Sequence, residues 1–163
     1  MAEGEFALVG QHMEAALKMD LSTSGMHAGN EDAYALLADA AAEQRNQAAL
    51  QKYAPLAEET ATRIGHRLYM AKAHRAWGVA HTLAGDYRQA EARLQQSLDL
   101  FNSYPVPWQV GRTLFEMGEL ARAQANAEQA GDCYSRALRQ FEELGAAPYA
   151  ARTRVALENL GQV

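Results

Sequence analysis

Chain-breaking residues recur at a constant interval, and this recurrence constrains the fold of the sequence more than any other feature. Glycine or proline recurs at a 40-residue spacing, at Gly25, Gly65, Pro105 and Gly145. The same shift pairs residues of similar size, namely Gly78 with Gly118, Ala90 with Ala130, Leu98 with Leu138 and Phe101 with Phe141. Because a fixed period of this length is typical of stacked helical units, the sequence predicts a repeat array.

A second recurrence points to a different period. The tripeptide Ala-Gly-Asp occurs at residues 84–86 and again at 130–132, which is a 46-residue spacing. A 46-residue shift, however, sets Ala90 against Arg136 and Leu94 against Gln140, so that apolar positions meet polar ones. The 40-residue period is therefore the prediction, and it places the glycine of the second tripeptide inside a helix.

Each unit of the array is predicted to contain two helices. Residues 68–84 carry apolar side chains at helical spacing, Gly85 and Asp86 supply a turn and a helix cap, and residues 87–103 form the second helix. Along the chain we expect eight helices, over residues 4–22, 30–43, 46–64, 67–84, 87–103, 107–124, 126–144 and 147–161. They form one domain, with units at 25–64, 65–104 and 105–144 and partial units at 4–24 and 145–161.

Two glycines lie in the middle of predicted helices. At Gly78 and Gly118, glycine costs about 1 kcal/mol of helix stability relative to alanine. Close approach of a neighbouring helix would offset this cost. We therefore expect the second helix of each unit to pack there, with Ala90 and Ala130 as the small partners.

Composition argues against several classes of protein. The net charge of −5 disfavours binding to nucleic acid, which needs a basic surface. The single cysteine, Cys133, has no partner for a disulfide within the chain and is expected to be buried. No apolar run approaches the roughly 20 residues that span a bilayer, and the N-terminal residues do not resemble a signal peptide. We expect a cytoplasmic protein that binds neither nucleic acid nor a membrane.

Three stretches share a small residue in the first helix, a short turn, and an alanine early in the second helix. They are WGVAHTLAGDYRQAEARLQQSLDLF (77–101), MGELARAQANAEQAGDCYSRALRQFEELG (117–145) and the more divergent LADAAAEQRNQAALQKYAPLAEETATRIG (37–65). This pattern resembles the tetratricopeptide repeat, whose usual unit has about 34 residues. The longer unit here is similar to that in the helical arrays of large bacterial signal-responsive transcription regulators and related multidomain ATPases.

The resemblance covers residues 5–161 and implies an all-α fold. It implies a right-handed α-solenoid of antiparallel helix pairs, in which the first helices line a concave groove. The expected function is a non-enzymatic protein–protein interaction module that binds a peptide or a partner helix in this groove. An alternative is a ligand-sensing or regulatory segment of a larger bacterial regulator. Self-association through the terminal helices is a further possibility.

Cations recur at one position of the predicted repeat. Lys72, Arg112 and Arg152 lie near the starts of successive first helices. By the resemblance, this position points into the groove, where the other candidate binding residues are Arg75, Phe115 and Arg122. Stacked cations favour an acidic peptide or a C-terminal carboxylate.

The same face reverses its charge in the N-terminal unit, which carries Asp32 and Asp39. The alternative hypothesis is that each cation of the groove is simply solvated or pairs with a neighbouring carboxylate.

No motif for catalysis or metal binding accompanies this pattern. His74 and His81 are seven residues apart, whereas a metal site on one helix uses a spacing of about four. Phosphate-binding loops and nucleophile elbows are missing from the sequence, and Cys133 has no adjacent base. We therefore expect no enzyme activity, no cofactor and no metal.

Overall fold

The computed structural model describes residues 30–160 of the chain. Within this range there are seven helices and no strand: α1 (Asn30–Glu43), α2 (Gln47–Ile64), α3 (Arg67–Ala84), α4 (Tyr87–Asn102), α5 (Pro107–Ala123), α6 (Ala127–Glu143) and α7 (Ala147–Leu160). The all-α prediction is confirmed, and each of these helices begins and ends within one residue of its predicted bounds. The helix predicted over 4–22 lies outside the described residues.

Local signals account for these boundaries. The side chains of Asn46, Asp86 and Asn126 each accept a hydrogen bond from the backbone N–H three residues further on, and so cap α2, α4 and α6. At the end of α3, Gly85 takes a φ of +78°, and its N–H bonds the carbonyl groups of the last turn. Turns of two to four residues then reverse the chain between helices.

Two of the turns that follow helices contain a non-glycine residue with positive φ. Arg45 (+50°) follows α1 and Ala125 (+57°) follows α5, a conformation that costs an L-residue about 1–2 kcal/mol. We expect Ala125→Gly to raise the free energy of unfolding by up to about 1 kcal/mol, because glycine takes this conformation without strain. Denaturant unfolding measures the change, and a loss of stability would contradict it.

Each helix packs on its neighbours in sequence, and α3 also packs on α1 and α5. The apolar core falls into separate clusters. One joins α1, α2 and α3 around Leu37, Leu50 and Val79. A second joins α4 to α7 around Phe115 and Phe141, among others. A small third cluster links α4 to α5.

The mid-helix glycines are places of close approach, as predicted, but the partners differ. A Cβ atom on Gly78 would lie 2.5 Å from Leu94, and one on Gly118 would lie 2.5 Å from the ring of Tyr134. Ala90 and Ala130 are buried but are not the nearest neighbours, because the larger side chains one turn further along fill the space above each glycine. The expectation about the alanines was wrong.

Cys133 is buried, as expected. Gly131 lies inside α6, in agreement with its predicted helical position. Among residues 30–160, no helix is long and apolar enough to cross a membrane.

Candidate functional site

Nine charged side chains of α1, the α1–α2 turn, α3, α5 and α7 are joined by ion pairs into two adjoining groups, which together we call the charged network. Its members are Asp39, Glu43, Arg75, Arg112 and Arg152 in one group and Arg45, Glu116, Glu119 and Arg122 in the other. Four of the six residues predicted for the groove belong to it.

Asp39 of α1 lies between two guanidinium groups. Arg75 Nη2 donates to its Oδ1 over 2.6 Å, and Arg112 Nη1 donates to its Oδ2 over 2.7 Å. Burial by itself would raise the pKa of the Asp39 carboxyl, but Arg112 and Arg75 hold that pKa well below its usual range. The carboxylate is thus ionised at neutral pH, and it joins α1 to α3 and α5.

Glu43, one helical turn beyond Asp39, makes the next bridge. Its Oε1 accepts from Arg112 Nε over 2.8 Å and lies 2.6 Å from Arg112 Nη2, while its Oε2 accepts from Arg152 Nη1 over 3.0 Å. Burial would lower the pKa of the Arg112 guanidinium, but Asp39 and Glu43 raise it above its ordinary value. Arg112 therefore uses all three nitrogens within the protein.

Arg75 is the most enclosed member of the network, with 1% of its surface exposed. Besides Asp39, it donates from Nη2 to the Gln109 side-chain oxygen over 2.6 Å and from Nη1 to Thr113 Oγ1 over 3.3 Å. Its guanidinium also lies 5.2 Å from the centre of the Phe101 ring. Within the described part of the chain, Nε has no hydrogen-bond partner.

Arg45 connects the α1–α2 turn to α5. Its Nη2 lies 3.0 Å from Oε2 of Glu116 and 3.0 Å from Oε2 of Glu119. Burial raises the pKa of Glu116 above its ordinary value, while Glu119 also accepts from the Tyr134 hydroxyl and from Arg122 Nη2. Arg45 thus supplies a positive charge to two carboxylates of α5 that would otherwise be buried close together.

Lys72 differs from the arginines. It is half-buried, and its amino group lies 5.8 Å from the centre of the Tyr69 ring. Burial lowers the pKa of its amino group, and Asp39 partly offsets this effect.

An open pocket of about 310 Å³ lies between α5 and α7. Its walls come from one face of each helix: Phe115, Glu119 and Arg122 of α5, and Arg152, Val155, Ala156 and Asn159 of α7. Each face extends over two helical turns, which is about 10 Å of helix. The guanidinium of Arg152 lies over the Phe115 ring at 4.4 Å, and Val155 is 54% exposed. The pocket therefore combines cationic and apolar surface.

The residues predicted for the groove thus fall into two groups. Arg75 and Arg112 are buried and paired with carboxylates, which is the alternative that the sequence had left open for them. Phe115, Arg122 and Arg152 surround the pocket between α5 and α7. Lys72 lies outside it.

Sequence reasoning did not identify Glu43, Arg45, Glu116 or Glu119. A signal for three of them is present: Glu43 lies four residues after Asp39, and Glu116 and Glu119 lie four and seven residues after Arg112. These spacings place them on the same helix faces as the residues already considered. Arg45 has no such signal, since it lies in a turn.

Among residues 30–160, no group of three or more His, Cys, Asp or Glu side chains has the arrangement of a metal site. The charged network consists of arginine–carboxylate pairs beside a half-open pocket. Comparison with known proteins adds no relative: no protein-family model matches the sequence, and no curated protein matches it.

Proposed function

We propose that the protein is a non-enzymatic protein–protein interaction module of the tetratricopeptide type, a right-handed stack of helix pairs with a 40-residue period. Two observations support this arrangement. The helices α2, α4 and α6 begin at residues 47, 87 and 127, and α3, α5 and α7 begin at 67, 107 and 147. The contact of Gly78 with Leu94 recurs one period later as the contact of Gly118 with Tyr134.

The proposed binding site is the pocket between α5 and α7, and the partner is a short acidic peptide segment. The observation that carries the proposal is the exposure of two guanidinium groups at the pocket, 53% for the Arg122 side chain and 39% for that of Arg152. Glu119 and Glu43 hold these arginines in place, and Nε and Nη2 of Arg152 have no partner among the described residues. Oriented arginines of this kind bind carboxylates strongly.

The protonation states of the network favour binding over acid–base catalysis. A general acid or base needs a pKa near the working pH and access to a substrate. Asp39 is held ionised by two arginines. Glu116 has a raised pKa, but its carboxylate is buried against Arg45 and has no contact with the pocket.

Selection from a phage-displayed library of random dodecapeptides tests the proposal. We expect enrichment of peptides that carry an acidic residue next to an aliphatic one, because Arg122 and Arg152 flank the apolar surface of Val155. Arg122→Gln and Arg152→Gln should each weaken a selected peptide by about tenfold or more, measured by fluorescence anisotropy.

Arg154→Gln is the matched control. Arg154 lies on the same helix as Arg152, is similarly exposed, and pairs with Glu142 away from the pocket. Equal affinity of the wild type and both pocket variants would contradict the proposal, as would a selection that enriches no peptide.

The size of the pocket also supports the second candidate, a ligand-sensing segment of a regulator. About 310 Å³ lies at the lower end of the range for small-molecule sites. Thermal stabilisation by a small carboxylic acid, lost in Arg152→Gln, would favour this candidate over the peptide-binding one.

A further inference from the structure

The contacts of α1 reach further along the chain than stacking of neighbours explains. In a repeat array each unit packs on the next. Here Glu43 of α1 bonds Arg112, 69 residues away, and Arg152, 109 residues away. Asp39 bonds Arg112 across 73 residues, and Arg45 bonds Glu116 across 71. Helix α1 and the turn that follows it are therefore tied to α5 and α7 by ion pairs.

These ion pairs cross a boundary in the apolar core. The first cluster ends at α3 and the second begins at α4, and no apolar cluster of the described residues joins α3 to α5. Between α3 and α5 the side-chain hydrogen bonds run from Arg75 to Gln109 and Thr113, with Ser97 of α4 beside Thr113. The contact between α3 and α5 along this boundary is thus polar, and we call it the seam.

On the other side of the seam, α4 packs on both α3 and α5. Leu94 lies against Gly78 of α3, and it shares an apolar cluster with Leu120 of α5. The two parts of the protein are therefore joined by apolar packing at α4 and by a charged connection at the seam.

We propose that the charged connection is a latch: the bonds from Asp39, Glu43 and Arg45 to α5 and α7 set the angle between the α1–α3 part and the α5–α7 part, and their loss opens the seam about α4. Ion pairs suit this role because their strength depends on charge and on screening by salt, whereas the apolar packing at α4 carries no charge to screen. The latch is independent of whether the pocket binds a peptide, since it concerns the conformation of the protein alone.

Distance measurements between two spin labels test the latch. The labels are placed on the exposed residues Gln51 of α2 and Ala151 of α7, as cysteines in a Cys133→Ala background. In the otherwise wild-type sequence we expect a narrow distribution. Glu43→Gln, which removes the carboxylate shared by Arg112 and Arg152, should shift it to longer distances and broaden it.

A second variant with a smaller expected effect keeps the test informative if Glu43→Gln does not fold. Arg152→Gln removes the α1–α7 bond and the contact of the guanidinium with the Phe115 ring, but it leaves the bonds from α1 to Arg112 in place, and it should give a smaller shift in the same direction. Arg154→Gln breaks an exposed pair between α6 and α7 that does not cross the seam, and it should leave the distribution unchanged.

Salt provides a test without substitution at the latch. Raising the salt concentration to about 1 M shortens the Debye length to about 3 Å and weakens the exposed Glu43–Arg152 pair, so the distribution should broaden in the otherwise wild-type protein. The latch is overturned if folded Glu43→Gln and Arg152→Gln both give the distribution of Arg154→Gln. It is also overturned if salt broadens the distribution of the wild type no more than that of Glu43→Gln.

Discussion

Asp39→Asn is expected to lower the free energy of unfolding by about 3–5 kcal/mol, the largest effect of any single substitution considered for this protein. Asp39 is buried, and its two carboxylate oxygens accept from Arg75 and Arg112. Asparagine keeps the size of the side chain but removes the charge and turns N–H donors towards a guanidinium. Two buried cations are then left incompletely paired, which costs far more than the loss of a surface pair.

Urea unfolding at neutral pH measures this effect, and Asp132→Asn is the control. Asp132 pairs with Arg136 one turn further along α6, and its side chain is 65% exposed. An exposed pair at this spacing contributes about 0.3–0.5 kcal/mol. If the two substitutions have similar effects, the charged network does not stabilise the fold.

The pH dependence follows from the lowered pKa of Asp39. An unfolded aspartate has a pKa of about 3.9, whereas the folded carboxyl stays ionised to a lower pH. The folded protein therefore binds fewer protons than the unfolded chain as the pH falls, and the stabilisation from Asp39 is fully present above about pH 5 and is lost progressively below it. The stability difference between wild type and Asp39→Asn should narrow as the pH is lowered from about 6 towards about 3. A constant difference would contradict this assignment.

Gly118→Ala is expected to destabilise the protein by up to about 2 kcal/mol, although alanine is the better helix former. The new Cβ would lie 2.5 Å from two ring carbons of Tyr134. Tyr134 is fully buried and its hydroxyl donates to Glu119, so the ring has little freedom to move. Overpacking of this kind costs about 1–3 kcal/mol, and the gain of about 1 kcal/mol in helix propensity offsets it only in part.

Gly131→Ala provides the opposite expectation in the next helix. Its Cβ would meet only Leu160 Cδ1, at 3.9 Å, so the helix propensity of alanine is gained without a clash. We expect the free energy of unfolding to rise by up to about 1 kcal/mol. Thermal and denaturant unfolding of the two variants measure the difference in sign. If both variants are stabilised, the ring of Tyr134 adjusts freely, and the contact at Gly118 does not require glycine.

The sequence predicted the helices well because their signals are local. The caps at Asn46, Asp86 and Asn126 act within three residues of the helix start. The apolar stripe of each helix depends on spacings of three and four residues. The 40-residue comparison separated the turn at Gly85 from the helical Gly131, although both lie in copies of the same tripeptide.

The candidate site was predicted only in part. Phe115 and Arg152 were identified from their places in the predicted repeat and Arg122 from its place near the end of its helix, and all three line one pocket. The burial of Arg75 and Arg112 was not predictable from their positions in the predicted repeat. Such a position indicates which helix face a residue occupies, but not which residue of another helix lies opposite it. Two positions that the predicted repeat makes equivalent can therefore differ in exposure, as Arg75 and Val155 do at 1% and 54%.

By itself, the sequence determined the all-helical character of the described residues, the ends of each helix and the glycines at which helices approach closely. Hydrogen bonds between residues four apart and side chains within one or two turns control the helices and their ends, and the glycines are recognisable because each lowers the stability of the helix that contains it. Only the tertiary structure decided which carboxylate each arginine meets. Partners such as Glu43 and Arg152 are 109 residues apart, so their contact depends on the packing angles of all the helices between them. No local pattern in the sequence encodes these angles.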